Sequence, residues 1–318
     1  MTLCIAATCI HQKRPAIILC SDWRSESGDL AGGDVEDKLT WIAQRRWAAL
    51  KAGTISDADK LAIVYRSLLS TIPMGLTKET VLPTLNTAFT HYRLMLINEY
   101  LCNSIGVEYY SLLSGVKRFS EDESEPVEFP EQFVDAKLRE VESLPYPCCQ
   151  LIVAGFTGEG IPIVCIVNEP PAEGSSSRIR LESNFAAIGS GASAATMALY
   201  RRQHIGNDTG LMRAIYHVYE AKLLGEVSPG VGDSTSITIL FQNGECWDLS
   251  SAGHDYMAER FEYFGPMSIG KSRRRKLEPP WFSVKSKYFE NYEAPWEGSQ
   301  APQAPNPAMA STTTTTAL

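Results

Sequence analysis

The sequence lacks an apolar run of roughly 18 residues, the length that a membrane-spanning helix needs, and it lacks a secretory signal pattern. It also lacks an excess of basic residues: 29 Lys and Arg stand against 37 Asp and Glu, for a formal net charge of -8. An acidic chain whose one basic cluster is residues 273–276 does not carry the electrostatic footprint of a nucleic-acid-binding protein. We therefore expect a soluble, cytoplasmic protein with no membrane or nucleic-acid partner.

Cysteine is present but not arranged for a special role. Eight cysteines in 318 residues do not form a disulfide framework. Cys4, Cys20 and Cys165 lie in apolar segments, where a thiol acts as a small hydrophobic side chain. The adjacent Cys148 and Cys149 have no second pair at zinc-ligand spacing. We expect no metal site and no cofactor.

The chain does have a threonine directly after its initiator methionine. Small side chains at position 2 generally permit removal of Met1, which would make Thr2 the N-terminal residue. Its α-amino group, with an ordinary pKa of about 7.7–8.0, would then be a base held beside the threonine hydroxyl. A neighbouring base is one way to activate a weak hydroxyl nucleophile. Taken alone, this feature favours the simpler interpretation that Thr2 is an ordinary residue at position 2.

The apolar pattern predicts strands and helices that alternate in groups. An apolar share of 44% is ample for a large core. The order of strands, two helices, strands, two helices, strands fits two antiparallel sheets between helix layers better than a doubly wound parallel sheet. We therefore expect an α+β fold, a four-layer α-β-β-α sandwich. The predicted strands are 2–9, 16–20, 39–42, 47–51, 149–155, 161–167, 177–188, 236–241 and 245–249, and the predicted helices are 56–69, 78–97, 131–141, 194–202 and 211–224.

One domain is predicted over residues 1–266, with a charged surface insertion at about 110–145. From about residue 267 the chain becomes polar, proline-rich and finally threonine-rich. Such a composition offers too little apolar surface to offset the entropy lost on ordering. We therefore expect residues 267–318 to form a disordered tail.

Six short motifs occur in order between residue 2 and about 250. They are Thr2 with its strand, Ser21-Asp22-Trp23-Arg24, Asp37-Lys38-Leu39, Ala52-Gly53 before the first helix, Gly189-Ser190-Gly191, and Ser228-Pro229-Gly230-Val231-Gly232-Asp233. Each is common alone, but in this order and on these elements they resemble the β-type subunits of proteasomes and the bacterial proteasome-related peptidases. Those proteins are N-terminal-nucleophile (Ntn) hydrolases, and the resemblance implies their fold and a threonine peptidase activity.

The resemblance implies three catalytic side chains. Thr2 would be the nucleophile, with its own amine taking the hydroxyl proton. Lys38 would lie beside the hydroxyl, where its positive charge favours a neutral amine and a more acidic hydroxyl. Asp22 would hold Lys38. Because burying both charges is costly unless they pair, a purely structural ion pair is compatible with the same residues.

The remaining implied residues orient the amine and stabilise the intermediate. Ser190 and Ser228 resemble the hydroxyls that bind the terminal amine, and Arg24 resembles a structural arginine. Gly53 resembles the glycine whose backbone N–H stabilises the oxyanion. Without the resemblance, Ser190 is interpreted as a helix N-cap and Ser228 as a turn hydroxyl.

The sequence departs from the family pattern in three places. The loop at residues 11–15 is longer than usual. Gly225 stands where the family has an acidic residue, and Glu226 is the candidate to replace that residue. We also expect the protein to have neither a propeptide nor an N-terminal helical extension. The first of these two absences fits a self-starting enzyme of the bacterial kind, and the second argues against an α-type, non-catalytic ring subunit.

The same resemblance implies a first specificity pocket with a lysine at its floor. Such a cation favours an acidic substrate residue before the cut. Two alternatives stay open: Glu36 neutralises Lys51, or the two form a solvated surface pair. The wall residues implied by the resemblance are Ser25, Glu36, Thr40, Lys51 and Ile55.

The implied substrate is a peptide or an unfolded protein, cleaved inside a ring or spiral homo-oligomer. An ATP-dependent unfoldase is a partner compatible with this assembly. Two other functions stay open. One is a catalytically silent subunit that keeps the fold, and the other is an amidase of the same superfamily that acts on small molecules.

Overall fold

The computed structural model describes residues 2–22, 38–43, 46–71, 76–117, 127–169, 177–206, 208–265 and 289–291. The strands in these ranges are β1 (Leu3–His11), β2 (Arg14–Asp22), β3 (Leu39–Ala43), β4 (Trp47–Gly53), β5 (Val116–Lys117), β6 (Val127–Glu128), β7 (Cys149–Phe156), β8 (Pro162–Val167), β9 (Ile179–Glu182), β10 (Phe185–Gly189), β11 (Thr235–Phe241), β12 (Cys246–Leu249) and β13 (Phe289–Asn291). The helices are α1 (Ile55–Thr71), α2 (Lys78–Ile105), α3 (Tyr109–Leu113), α4 (Glu131–Ser143), α5 (Ala192–Arg201), α6 (Leu211–Gly225) and α7 (Ser251–Phe264).

Two antiparallel sheets form the centre of the fold. The first has the strand order β10-β1-β2-β11-β12-β13, and the second has the order β3-β4-β7-β8-β9. Strands β5 and β6 form a separate short pair. The expected α+β class and the two antiparallel sheets are confirmed. None of the helices in the described part of the chain is long and apolar enough to cross a membrane.

The alternation of side chains along β1 places the sheets between helices. Leu3 and Ile5 belong to an apolar cluster that includes residues of α5, α6 and α7. Cys4 and Ala6 belong to a second cluster, shared by the facing sides of the two sheets. Because successive residues of a strand point to opposite faces, the first sheet is covered by helices on one side and by the second sheet on the other.

Strand β4 of the second sheet shows the same alternation in mirror order. Ala48 and Leu50 face the first sheet. Trp47 and Ala49 pack with residues of α1 and α2. The layers therefore follow one another as helices, sheet, sheet and helices.

The connection between β1 and β2 is tighter than the sequence indicated. The long loop expected at residues 11–15 is a two-residue turn, because β1 continues to His11 and β2 begins at Arg14. Gln12 and Lys13 have φ of 49° and 67°. Positive φ at both central residues is typical of type I′ turns, whose twist matches that of the strands they connect.

The predicted insertion packs on the C-terminal half of α2. Helices α3 and α4 and the β5–β6 pair follow one another here, and α4 covers the segment predicted to be helical. A small apolar cluster holds α3 and α4 to α2, with Leu101, Val107, Leu112 and Val141 buried. The region therefore has its own core, separate from those of the two sheets.

Two elements near the C-terminus were not predicted. Helix α7 begins after Ser250, whose hydroxyl accepts a hydrogen bond from the Gly253 N–H at 3.3 Å. Strand β13 pairs with β12 at the edge of the first sheet. Three residues of the expected disordered tail therefore form a strand, and the rest of residues 267–318 lies outside the described residues.

Candidate active site

Thr2, Asp22 and Lys38 meet at one end of the strands of the first sheet, where β1 begins and β2 ends. The Thr2 hydroxyl donates a hydrogen bond to Asp22 Oδ1 at 2.7 Å. Lys38 Nζ donates to the same Asp22 oxygen at 2.7 Å and also to the Thr2 hydroxyl oxygen. The three side chains predicted from sequence to cooperate are therefore in mutual contact.

The cluster is almost completely removed from solvent. Thr2, Asp22 and Lys38 are 5%, 0% and 7% exposed. In such surroundings a carboxylate and an ammonium are stable only as a pair with satisfied hydrogen bonds. Both Asp22 oxygens meet this requirement, because backbone N–H groups of Leu3 (3.0 Å, to Oδ1) and Gly232 (2.9 Å, to Oδ2) complete its shell.

The glycines around Ser190 allow the chain to pass close to Thr2. Gly189 has φ of 94°, and a Cβ at this position would overlap the Thr2 carbonyl. The Ser190 hydroxyl oxygen lies 3.3 Å from the Thr2 carbonyl oxygen and 3.4 Å from the Pro229 carbonyl oxygen, and its one O–H can donate to either of them. The N-cap of α5 is Gly191, with no side-chain cap bond. The interpretation of Ser190 as a helix N-cap is therefore wrong.

Ser228 lies in the loop between α6 and β11. Its N–H donates to the Gly225 carbonyl at 3.0 Å, and its carbonyl accepts from Val231 N–H at 3.3 Å. Its hydroxyl has no hydrogen-bond partner among the described residues. The carbonyl oxygen of the next residue in the loop, Pro229, lies 3.4 Å from the Ser190 hydroxyl oxygen. Ser228 therefore directly precedes the residue that contacts Ser190. Its expected hydrogen bond to the amine of Thr2 stays a prediction.

The structure gives a packing reason for Gly225. A Cβ at this position would overlap the Leu3 side chain, so Leu3 occupies the space that an acidic side chain at residue 225 would need. The neighbouring Glu226 pairs with Lys222. Glu226 is therefore engaged with a different cation, and the idea that it replaces the family's acidic residue at the amine has no support in these contacts.

Gly53 ends β4 in a conformation that favours glycine. Its φ is 94°, and a Cβ would overlap the Cys148 carbonyl. The N–H of the next residue, Thr54, donates to that carbonyl at 2.8 Å. Gly53 is exposed, and Lys51, two residues before it, donates its N–H to the Lys38 carbonyl at 3.0 Å. The glycine thus lies on the strand next to Lys38, at an exposed end.

The residues implied to line the specificity pocket are only partly described. Ile55 is the first residue of α1 and is 36% exposed. Thr40 is opposite Ala49 in the β3–β4 register, and Ala49 packs against the α1 side of the sheet. Every second residue of a strand points to the same face, so Lys51 lies on the same face as Ala49. Thr40, opposite Ala49, shares that face. Ser25 and Glu36, and also Arg24, lie outside the described residues.

Lys51 has a partner that the sequence did not indicate. Its ammonium donates to Asp59 Oδ1 at 2.8 Å, from β4 to α1. The lysine side chain is 10% exposed and the aspartate side chain 46%. The ion pair thus joins a buried cation to a carboxylate that is half open to solvent, which lowers the net positive charge of the implied pocket floor.

Buried thiols next to the site are poor nucleophiles. Burial, with the charge of Asp22 adding to it, raises the pKa of the Cys4 thiol far above its usual range. Burial raises the pKa of Cys20 to about 12. Because a thiol reacts as the thiolate, both stay protonated near neutral pH. Neither thiol is thus poised as a nucleophile at this site.

All eight cysteines are free, and Cys102 and Cys148 are the exposed ones. Within the described ranges, no group of three or more His, Cys, Asp or Glu side chains is arranged to hold a metal ion.

No protein-family model and no curated protein sequence matches this chain.

Proposed function

We propose that this protein is a threonine peptidase with the Ntn-hydrolase fold, in which Thr2 becomes the nucleophile when Met1 is removed. The observation that carries the proposal is the buried contact of the Thr2 hydroxyl with both Asp22 and Lys38. A threonine with no catalytic role does not require a buried carboxylate and a buried ammonium in contact with its hydroxyl. The two helix-covered antiparallel sheets support the fold assignment.

The hydroxyl begins the reaction. In the proposed mechanism, Thr2 Oγ1 attacks the carbonyl carbon of the peptide bond, and the hydroxyl proton passes to the free α-amine of Thr2. The positive charge of Lys38 favours the neutral form of that amine and stabilises negative charge that develops on the oxygen. Asp22 keeps Lys38 in place and compensates its charge.

The oxyanion forms at the exposed end of β4, and the Thr2 amine carries the proton in the steps that follow. The carbonyl oxygen becomes an oxyanion, which the Gly53 N–H stabilises. The C–N bond then breaks, the leaving amine takes the proton from the Thr2 ammonium, and an ester links the substrate's acyl group to Thr2 Oγ1. A water molecule, deprotonated by the Thr2 amine, hydrolyses that ester and restores the hydroxyl.

Assembly and specificity are parts of the same proposal. A ring or spiral of copies is expected because repeated head-to-tail contacts close into rings when the rotation permits. Lys51 is proposed to select acidic residues before the cut, with Asp59 moderating its charge. A soluble, cytoplasmic location remains the expectation from the sequence.

Hydrolysis of fluorogenic peptides by matched threonine variants tests the proposal. Thr2→Ala removes the hydroxyl and is expected to abolish turnover, while Thr2→Ser keeps a hydroxyl and is expected to retain part of it. Lys38→Ala removes the charge that keeps the Thr2 amine, the general base, neutral; because general-base assistance contributes about 10²–10⁴-fold, turnover is expected to fall by about that range. A loss smaller than about tenfold would count against the role of Lys38.

Thr8→Ala is the matched control. Thr8 is a buried threonine on the same strand, and its hydroxyl donates to the Asn184 carbonyl at 3.1 Å. This variant is expected to lose some stability and to keep its turnover. Wild-type turnover in Thr2→Ala would refute Thr2 as the nucleophile, whereas a wild type that hydrolyses no peptide would favour the silent-subunit function.

A further inference from the structure

A second buried lysine lies behind the candidate site. Lys222, in the last turn of α6, has no exposed side-chain surface. Its ammonium forms an ion pair with Glu226 and donates to the carbonyl oxygens of Gly232 (3.0 Å) and Asp233 (2.8 Å). A lysine ammonium has three N–H donors, so each of them has a partner.

The stability of α6 does not explain this arrangement. Lys222 precedes Glu226 by four residues, which is the less favourable order for an i,i+4 pair on a helix. Burying an ammonium is costly, and the attraction of its partner repays that cost only with complete hydrogen bonding. Two of the three bonds go to the loop after the helix, to Gly232 and Asp233, so this lysine mainly orders that loop.

The loop that Lys222 holds also contacts the carboxylate at the candidate site. Gly232 N–H donates to Asp22 Oδ2 at 2.9 Å, while Asp22 Oδ1 accepts the Thr2 hydroxyl. The two peptide groups that flank Gly232 Cα are therefore fixed from two directions, one by Lys222 and one by Asp22. A change at Lys222 can reach Thr2 through two intervening groups.

We propose that Lys222 is a positioning residue for the reaction of Thr2, an inference that rests on the proposed function. By holding the two loop carbonyls, Lys222 sets the direction of the Gly232 N–H. That N–H sets the rotation of the Asp22 carboxylate, which in turn holds the Thr2 hydroxyl and Lys38. Two buried ion pairs thus act in series, one on the nucleophile and one on the loop that supports it.

Three variants separate positioning from folding. Lys222→Met removes the ammonium at similar length, Glu226→Gln keeps all three lysine donors, and the double variant removes both charges. In Lys222→Met the carboxylate of Glu226, which is 24% exposed, loses its partner, whereas the double variant leaves no uncompensated charge. We therefore expect the double variant to regain part of the stability that Lys222→Met loses in urea unfolding, since the Gly232 and Asp233 carbonyls lack their donor in both.

Peptide hydrolysis is then measured where all variants are folded by circular dichroism. Misplacement of reacting groups by about 1 Å costs up to about 100-fold in rate, so kcat is expected to fall by about 10- to 100-fold in Lys222→Met and in the double variant. KM is expected to stay within about twofold, because Lys222 touches the loop and not the pocket residues. Glu226→Gln is expected to change kcat by less than about threefold.

A purely structural role predicts a different pattern. In that case the double variant recovers kcat together with its stability, and this result would overturn the proposal. Unchanged kcat in Lys222→Met would overturn it as well. The surface variant Lys60→Met is the matched control, since its ion pair with Glu99 is exposed at both ends.

Hydrogen exchange of the Gly232 amide distinguishes failure of this inference from failure of the proposed function. We expect exchange at Gly232 to become at least about tenfold faster in Lys222→Met and in the double variant, while the amides of β1 are unchanged. If the wild type hydrolyses peptides and Gly232 exchange does not change, the positioning role alone is refuted. If the wild type hydrolyses no peptide, the proposed function is refuted, whatever the exchange rate.

Discussion

The buried pair of Asp22 and Lys38 offers a test that does not depend on a known substrate. Asp22→Asn removes the negative charge and replaces one oxygen by an NH₂ group. Either the amide nitrogen faces Gly232 N–H, so that two donors oppose each other, or it faces Lys38, Leu3 N–H and the hydroxyl. In both orientations a buried donor loses its acceptor, and Lys38 loses its counter-charge.

The expected effect is large because the aspartate is fully buried and accepts four hydrogen bonds. Removing one partner of a buried ion pair costs about 3–5 kcal/mol, which is a sizeable part of a typical stability of about 5–15 kcal/mol. Lys38→Met is expected to cost a similar amount. In the double variant no charge remains uncompensated, so we expect a coupling energy of about 2–3 kcal/mol.

Urea unfolding at one fixed protein concentration, followed by tryptophan fluorescence and circular dichroism, measures the four free energies of the cycle. Lys60→Met and Glu99→Gln form the control cycle, since that exposed pair is expected to show a coupling below about 1 kcal/mol. Additive losses for Asp22 and Lys38 would refute the argument that they form one buried unit. All three site variants are expected to lose peptide hydrolysis, including the double variant with its recovered stability.

Three further predictions concern specificity, pH and assembly. Lys51→Glu is expected to move the cleavage preference from acidic towards basic residues in a peptide-library digest, and Asp59→Asn to strengthen the acidic preference, because the pair is broken with the cation retained. Burial lowers the pKa of His204, and it lowers that of His217 to about 3. Their unfolded pKa is about 6.5, so the unfolded chain binds more protons below that pH, and unfolding free energy is expected to fall from pH 6.5 towards pH 4. Light scattering at micromolar concentration is expected to give a homo-oligomer of several subunits, with or without residues 267–318.

The contrary results are equally specific. An unchanged cleavage profile in Lys51→Glu would rule out the pocket assignment. If His217→Phe keeps the full loss of unfolding free energy at acid pH, the histidine pair is not the cause of that loss. The exposed His91→Gln is the control. A monomer in light scattering would contradict the proposed assembly.

The sequence predicted the elements whose apolar patterns are regular. Strand β1 was expected at residues 2–9 and extends over Leu3–His11, and α2 was expected at 78–97 and extends over Lys78–Ile105. Helix α7 was missed because its buried positions include few apolar residues: Met257 is buried, but so are Gly253 and Arg260. With glycine and arginine at buried positions, the apolar stripe of α7 is reduced to Met257 and the partly buried Tyr256 and Phe261, which is a weak signal for a helix.

The candidate site was only partly predictable for a similar reason. The order of the motifs predicted that Thr2, Asp22 and Lys38 cooperate, and the structure places the three side chains in contact. The Gly232 N–H that binds Asp22 left no signature, because any residue except proline supplies a backbone donor. The pairing of Lys51 with Asp59 depends on how α1 packs against β4, which local sequence does not determine.

The central claim is that Thr2 is a free N-terminal nucleophile, and the intact mass of the purified protein, with mapping of its first peptide, tests it most directly. We expect a chain that lacks Met1 and begins with an unmodified Thr2, in which the amine is available to take the hydroxyl proton. A chain that retains Met1, or that carries an acetyl group on Thr2, would contradict the claim, because neither species has the free amine that the mechanism requires.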